Sequence, residues 1–214
     1  MAEKIEHLLF DLDNTLYPSS APITQKMNER FVQFVSDYLN ISPEEATIER
    51  KSGLSRFGTT LEWLKKEKGL KNEDVFFKSV HPEEEINEVS FDPNLRDYLL
   101  SLKMPMSILT NSPYEHAERI LKKLKIFDLF KVIFDLRANN LNGKPAPESY
   151  FAPIKAAGFS VEQTLFVDDT LRYVKGFDAI GGKAVLIDEN NRFSINDWDG
   201  LRINSIYNLK SLLS

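Results

Sequence analysis

The sequence predicts an α/β protein, a mainly parallel sheet flanked by helices, with a helical block inserted after its first strand. Three observations predict it. From residue 92 onward, short apolar runs alternate with helical patterns, as βαβ units do. An isolated apolar run near the start, His7-Leu8-Leu9-Phe10, belongs with those strands. Between the two, the chain keeps a helical period for about seventy residues, with no stretch that alternates like a strand. The expected division is a sheet domain of residues 1–15 and 89–214 and a helical domain of residues 16–88. A chain of 214 residues can bury a core for both.

The first strand stops abruptly at Asp11-Leu12-Asp13-Asn14-Thr15. On extended chain, residues two apart share a face, so Asp11 and Asp13 are expected to point into one space. At the carboxyl end of a parallel strand that space is the ligand crevice. In the helical block, Ile23, Met27, Phe31, Phe34, Val35, Tyr38 and Leu39 form the stripe of an amphipathic helix. Ser42-Pro43-Glu44-Glu45 starts a second helix, with serine as N-cap and proline in the first turn. Residues 58–68 predict a third helix and 72–81 a fourth. Trp63 and the phenylalanines of the block are expected in its core, and the acidic run 81–85 as a solvated hinge. Beyond it, strands are predicted at 106–109, 131–134, 165–167 and 184–187, and helices near 94–102, 115–124, 147–157 and 171–180. Residues 190–205 are weakly patterned, and 207–213 predict a closing helix.

Composition narrows the function. With 32 acidic against 27 basic residues the net charge is −5, so no basic field suits a nucleic acid polymer or an anionic membrane. A small-molecule substrate is expected. The absence of cysteine excludes disulfides, thiolate nucleophiles and sulfur-ligated metals. The N-terminus, Met1 to Glu6, is charged and followed by too few apolar residues for a signal peptide or a membrane span, so a cytoplasmic protein is expected. The oligomeric state is not legible.

Three later strand ends carry polar residues: Thr110-Asn111-Ser112-Pro113, Gly143-Lys144-Pro145 ahead of another helix, and Asp168-Asp169-Thr170. Each alone suits a helix cap or a solvated side chain. Together, parallel strands would gather Asp11, Asp13, Asp168 and Asp169 at one edge with a lysine, a hydroxyl and an amide. Two like charges about 4 Å apart at an effective dielectric near 20 repel by roughly 4 kcal/mol, so the cluster needs a cation or raised pKa values. Oxygen ligands, without sulfur or histidine in these stretches, point to magnesium. The lysine and hydroxyl then suit an anionic substrate such as a phosphate ester.

The order Asp11-x-Asp13-x-Thr15, Thr110-Asn111, Lys144-Pro145, Asp168-Asp169 resembles the four motifs of the haloacid dehalogenase (HAD) superfamily, across nearly the whole chain. The resemblance implies a Rossmann-like core with a helical cap after the first motif. It implies that Asp11 is a nucleophile forming an aspartyl-phosphate and Asp13 the general acid/base. Thr110 would bind the transferring phosphate with Asn111 beside it, and Lys144 would neutralise charge. Asp168 would hold magnesium with Asp11 and the Asp13 carbonyl, and Asp169 directly or through water. An aspartate two residues after the nucleophile marks a phosphatase, since the superfamily's dehalogenases lack it.

Longer stretches, residues 11–18, Phe57-Gly58-Thr59-Thr60-Leu61, His116-Ala117-Glu118-Arg119 and Ile133-Phe134-Asp135, resemble the pyrimidine 5′-nucleotidase branch. This implies a nucleoside monophosphate as substrate. Arg56, Phe57, Thr59 and Thr60, with Tyr17 at the cap entrance, are the candidates for binding its ribose and base. A phosphosugar or other small-metabolite phosphatase, or a phosphomutase, stays open on the same motifs. From other classes, a phospho-acceptor signalling domain and a catalytically silent binding protein remain. The first is disfavoured by the seventy-odd-residue insert, the second by the intact acid, lysine and metal residues. His7, His81 and His116 are expected to be structural or solvated rather than metal ligands.

Overall fold

A computed structural model describes residues 4–213; Met1, Ala2 and Glu3 of the charged N-terminus lie outside the described residues. The chain runs β1 (His7–Phe10), α1 (Pro22–Leu39), α2 (Pro43–Arg56), α3 (Thr60–Lys66), α4 (Glu73–Val80), α5 (Leu95–Ser101), β2 (Met106–Leu109), α6 (Tyr114–Lys123), β3 (Phe130–Phe134), α7 (Glu148–Ala157), β4 (Thr164–Asp168), α8 (Leu171–Asp178), β5 (Lys183–Ile187) and β6 (Leu201–Ile203). The strands form one sheet in the order β3-β2-β1-β4-β5-β6, parallel throughout. This is the parallel sheet flanked by helices that the alternating pattern predicts.

β1 sits at the point where the strand order reverses, with β2 on one side and β4 on the other. In such sheets the crevice beyond that point is where ligands bind. Register brings the strand ends level: Phe10 pairs with Ile108 and Val167. Strands β1, β4 and β5 divide their side chains between two cores. Leu8, Phe10, Leu165, Val167, Val185 and Ile187 join the core shared with α1–α6, whereas Leu9, Phe166, Ala184 and Leu186 pack with Tyr150, Ile154, Val174 and Phe177 on the other face. Burying each large apolar side chain contributes about 1.5–3 kcal/mol.

The helical insert leaves the sheet after β1 and returns through a 3-10 turn at Glu83–Glu88. The second helix starts on the expected signal. Ser42 and Glu45 make a reciprocal capping box on α2, and Pro22 lies in the first turn of α1. The third helix begins later than its pattern predicts, because Thr59 is its N-cap and both Phe57 and Thr59 are extended. The insert is tied to the rest of the chain by polar contacts: Arg172 donates to the carbonyls of Leu54 (2.6 Å) and Phe57 (3.0 Å), and Arg137 joins Asp74 (2.6 Å) to Glu115 (2.8 Å).

Three elements differ from expectation. β6 lies within the weakly patterned stretch, and the closing helix is of the 3-10 type, Ile206–Leu212. The acidic run is not a solvated hinge throughout, since His81 is 6% exposed and Glu85 0%. Among the described residues, no helix is long and apolar enough to cross a membrane.

Candidate active site

The site forms where β1, β2 and β4 end. Asp11 follows Phe10 and keeps one strand-like bond, its N–H donating to the Val167 carbonyl at 2.9 Å. The extended chain then stops. Leu12 accepts from the N–H groups of Thr15 (3.2 Å) and Leu16 (3.0 Å), and Asn14 is left-handed at φ 60°. The strand's period therefore does not carry through to Asp13, and the two carboxylates meet different partners.

Asp11 lies on the side of β4. The fully buried Lys144 donates to Asp11 Oδ1 at 2.6 Å and to Asp168 Oδ2 at 2.7 Å. The other Asp168 oxygen accepts the Thr170 N–H at 2.7 Å. The lysine backbone is clasped by the Asn111 side chain, which accepts from Lys144 N (2.8 Å) and donates to Lys144 O (3.1 Å). Gly143 is required there, because a Cβ would lie 2.6 Å from Asn111 Oδ1. Asn111 is thus spent on holding the lysine loop rather than standing free beside Thr110. Thr110 is buried, and its Oγ1 accepts the Ser112 N–H at 3.0 Å.

Carboxylate oxygens of Asp11, Asp168 and Asp169 lie within 4.8 Å of one another. Burial pushes Asp11 up, with Lys144 opposing it and Asp13 adding repulsion. Burial likewise holds Asp168 well above the usual carboxylate range. Asp169 is pushed up to about 7 by burial and the Asp11 charge, despite Arg192 at 3.7 Å. Lys144 resists the burial that would discharge it because Asp11 and Asp168 hold it charged. One ammonium among three oxygen-donor carboxylates is the donor set and charge imbalance that suit a hard divalent cation.

Asp13 faces the other way. Its Oδ1 accepts from Tyr17 OH and His116 Nε2, both at 2.7 Å, and its Oδ2 from Ser112 Oγ at 2.7 Å. Behind it, His116 Nδ1 reaches Glu85 Oε1 at 2.7 Å. Burial disfavours charge here too, but Asp13 and Glu85 outweigh it and push His116 up to about 10. In return the imidazolium holds both carboxyls below their usual range against burial. His81, 4.4 Å from His116 between ring centres, is pushed down to about 4 by burial and by that charge. His116 was expected to be structural or solvated; it is bonded directly to Asp13. His116 and Arg119 share one helix face at i, i+3 and His81 and Glu85 are an i, i+4 pair, but only the fold shows that these side chains converge. His81, Glu85 and His116 also have the spacing of a metal-holding group. Arg119, 2.6 Å from Glu85, already supplies the positive charge there. His7 is structural, bonded to Thr164 (3.1 Å) and Ser107 (3.0 Å).

Of the candidates for reading the rest of the substrate, Tyr17 is brought to Asp13. The others have structural partners. Arg56 pairs with Glu67, Thr59 caps α3 by accepting the Glu62 N–H (3.0 Å), and Thr60 accepts from Arg50 (3.0 Å). Phe57 lies under Arg56, 5.5 Å from its guanidinium. The link carrying it touches the lysine loop: a Cβ on Gly58 would lie 3.0 Å from Lys144 O.

Residues 5–181 match the model of the haloacid dehalogenase-like hydrolases. The chain is 27% identical over 189 residues to the phosphoglycolate phosphatase of Mannheimia succiniciproducens, 82% of each sequence. Among solved structures, a HAD phosphatase from Thermococcus onnurineus superimposes with TM-score 0.67 at 22% identity, over 98% of each chain. The HAD-hydrolase YfnB from Bacillus subtilis, solved bound to magnesium, superimposes with TM-score 0.68 at 18% identity, over 99% of each. The two structures bear on the fold.

Proposed function

Because the chain belongs to the haloacid dehalogenase-like hydrolase family and is a phosphatase, we propose that it hydrolyses a small phosphate monoester through an aspartyl-phosphate on Asp11, with magnesium as its cofactor. The observation that carries this reading is Lys144, buried between Asp11 and Asp168 at 2.6 and 2.7 Å, while Asp13 is held apart on its own set of donors. Two carboxylates in unlike environments are suited to unlike roles.

In this reading an Asp11 oxygen attacks phosphorus as the ester P–O bond breaks, and the leaving oxygen takes its proton from Asp13. Water then gives a proton to Asp13 and attacks the same phosphorus, which releases phosphate and restores the Asp11 carboxylate. Asp13 is ionised in the free protein, the state that suits the second half. A phosphate arriving beside it adds negative charge and raises its proton affinity for the first half. Asp11, Asp168 and Asp169, with the Asp13 carbonyl, would hold magnesium. Bound there, the ion would neutralise charge on the phosphoryl oxygens. Lys144 neutralises Asp11, and Thr110 lies at the end of β2 for the phosphate. The helices of the insert act as a cap that covers the site.

For the rest of the substrate, a small phosphorylated metabolite is the reading better supported. Arg56, Thr59 and Thr60 have their polar groups engaged elsewhere, and the relative from Mannheimia is named a phosphoglycolate phosphatase. A pyrimidine nucleoside monophosphate is the second reading, favoured by the Phe57 ring beside the link seated on the lysine loop. The test is a panel of the four nucleoside monophosphates, 2-phosphoglycolate and a hexose phosphate, with and without magnesium. Magnesium-dependent turnover is expected, and turnover of none overturns the reading. A higher kcat/KM for uridine and cytidine monophosphates than for the other esters, eroded in Phe57→Ala, would establish the nucleotide instead. Equal constants for all four nucleotides would dispose of it.

A further inference from the structure

Behind Asp13 lies a buried charged cluster that the proposed chemistry does not use. Its centre is the Glu85 carboxylate, fully buried in the segment that returns the insert to the sheet. One of its oxygens faces the sheet domain: Oε1 accepts from His116 at 2.7 Å and Arg119 at 2.6 Å, both on α6. The other faces the insert: Oε2 is 3.2 Å from His81 Nδ1 and 3.8 Å from the Arg30 guanidinium. Between two carboxylates at 2.7 Å on either side, both nitrogens of His116 donate, Nδ1 to Glu85 and Nε2 to Asp13. With both nitrogens committed, the ring cannot rotate without breaking a charge-assisted bond.

Asp13 follows the end of β1 in a turn, so no sheet register fixes its side chain. Its rotamer is set by His116, Tyr17 and Ser112. Burying two carboxylates with an imidazolium costs desolvation that an apolar cluster of the same volume would avoid. The arrangement therefore asks for a function beyond packing.

We propose that His116 and Glu85 are positioning residues for the acid/base: Glu85 orients the imidazole, and the imidazole holds the Asp13 carboxyl where it can reach the leaving oxygen. This rests on the assignment of Asp13 made above, and its test separates the two. A positioned acid matters most when the leaving group is poor. The measurement is kcat/KM, which reports formation of the aspartyl-phosphate, for p-nitrophenyl phosphate and for an alkyl phosphate such as glycerol phosphate. Wild type is compared with Asp13→Asn, His116→Asn, His116→Gln and Glu85→Gln, each checked by thermal unfolding. Asp13→Asn is expected to lose about 10²–10⁴-fold on the alkyl ester and far less on the aryl ester. His116→Asn and Glu85→Gln should show the same selectivity at about 10- to 100-fold, with KM little changed. His116→Gln, whose amide can still donate to Asp13, should recover part of the loss. Selective loss in Asp13→Asn but a uniform loss in the His116 and Glu85 variants overturns this inference alone. A uniform loss in Asp13→Asn overturns the acid assignment and the inference with it.

Discussion

Two buried cations organise opposite sides of the site, and they are built alike. Lys144 sits between Asp11 and Asp168 at 2.6 and 2.7 Å, and His116 between Asp13 and Glu85 at 2.7 Å each. Their carboxyls nonetheless shift in opposite directions. On the lysine side Asp169 adds a third acid, and Asp11, Asp168 and Asp169 are all pushed up. On the histidine side Arg119 and Arg30 also face Glu85, and Asp13 and Glu85 are pushed down. The difference follows the charge balance, since both sides are largely removed from water. An acid-rich cluster suits a divalent cation, and a balanced one holds its carboxylate ionised and fixed in place.

The largest expected effect breaks the lysine side. Asp11→Asn should lower turnover by about 10⁴-fold or more, since an amide cannot attack phosphorus. Its metal-free melting temperature should not fall, because the change removes one charge from the crowded side. Residual turnover near wild type would sink the nucleophile assignment. Lys144→Met should be the costliest change in stability, about 3–5 kcal/mol by urea unfolding, because it leaves buried carboxylates uncompensated. Magnesium should stabilise Lys144→Met by more than it stabilises wild type, whereas its gain in His116→Asn should match that of wild type. Equal gains in both variants would erase the distinction between the two sides.

pH sharpens the same comparison. His116 binds its proton more tightly in the folded chain, at about 10 against 6.5. Its contribution is therefore complete below pH 6.5 and is lost as pH rises through about 10. Wild type should lose a few kcal/mol more stability between pH 7 and 10 than His116→Asn does. The smallest effect is magnesium binding to the wild type. At a hundredfold excess over Kd it should add about 2.7 kcal/mol, seen as a higher melting temperature. That gain should shrink in Asp168→Ala and persist in His116→Asn. A gain that survives Asp168→Ala would move the metal elsewhere.

The chain's own pattern determined the sheet and the places where chemistry gathers. Strands β1 to β5 are apolar runs long enough to reveal burial, and each polar run at a strand end could be read from where the apolar run stopped. β6 was not legible, because Leu201-Arg202-Ile203 is three residues long and buries only its last. The charge cluster behind Asp13 was not legible for a different reason. Glu85 sits in an acidic run that composition reads as solvated, and its partners His116 and Arg119 are 31 and 34 residues away. Asp13 is 103 residues from His116. Periodicity reports which face of an element is buried, but it cannot say which buried groups meet. Nor could the strand's period show that Asp13 turns away from Asp11, since that follows from a turn after β1 and from donors supplied by α6 and the loop before it. The sequence by itself determined which residue types reach the crevice. Only the folded chain decided how they pair, because pairing depends on the relative placement of segments that are distant along the backbone.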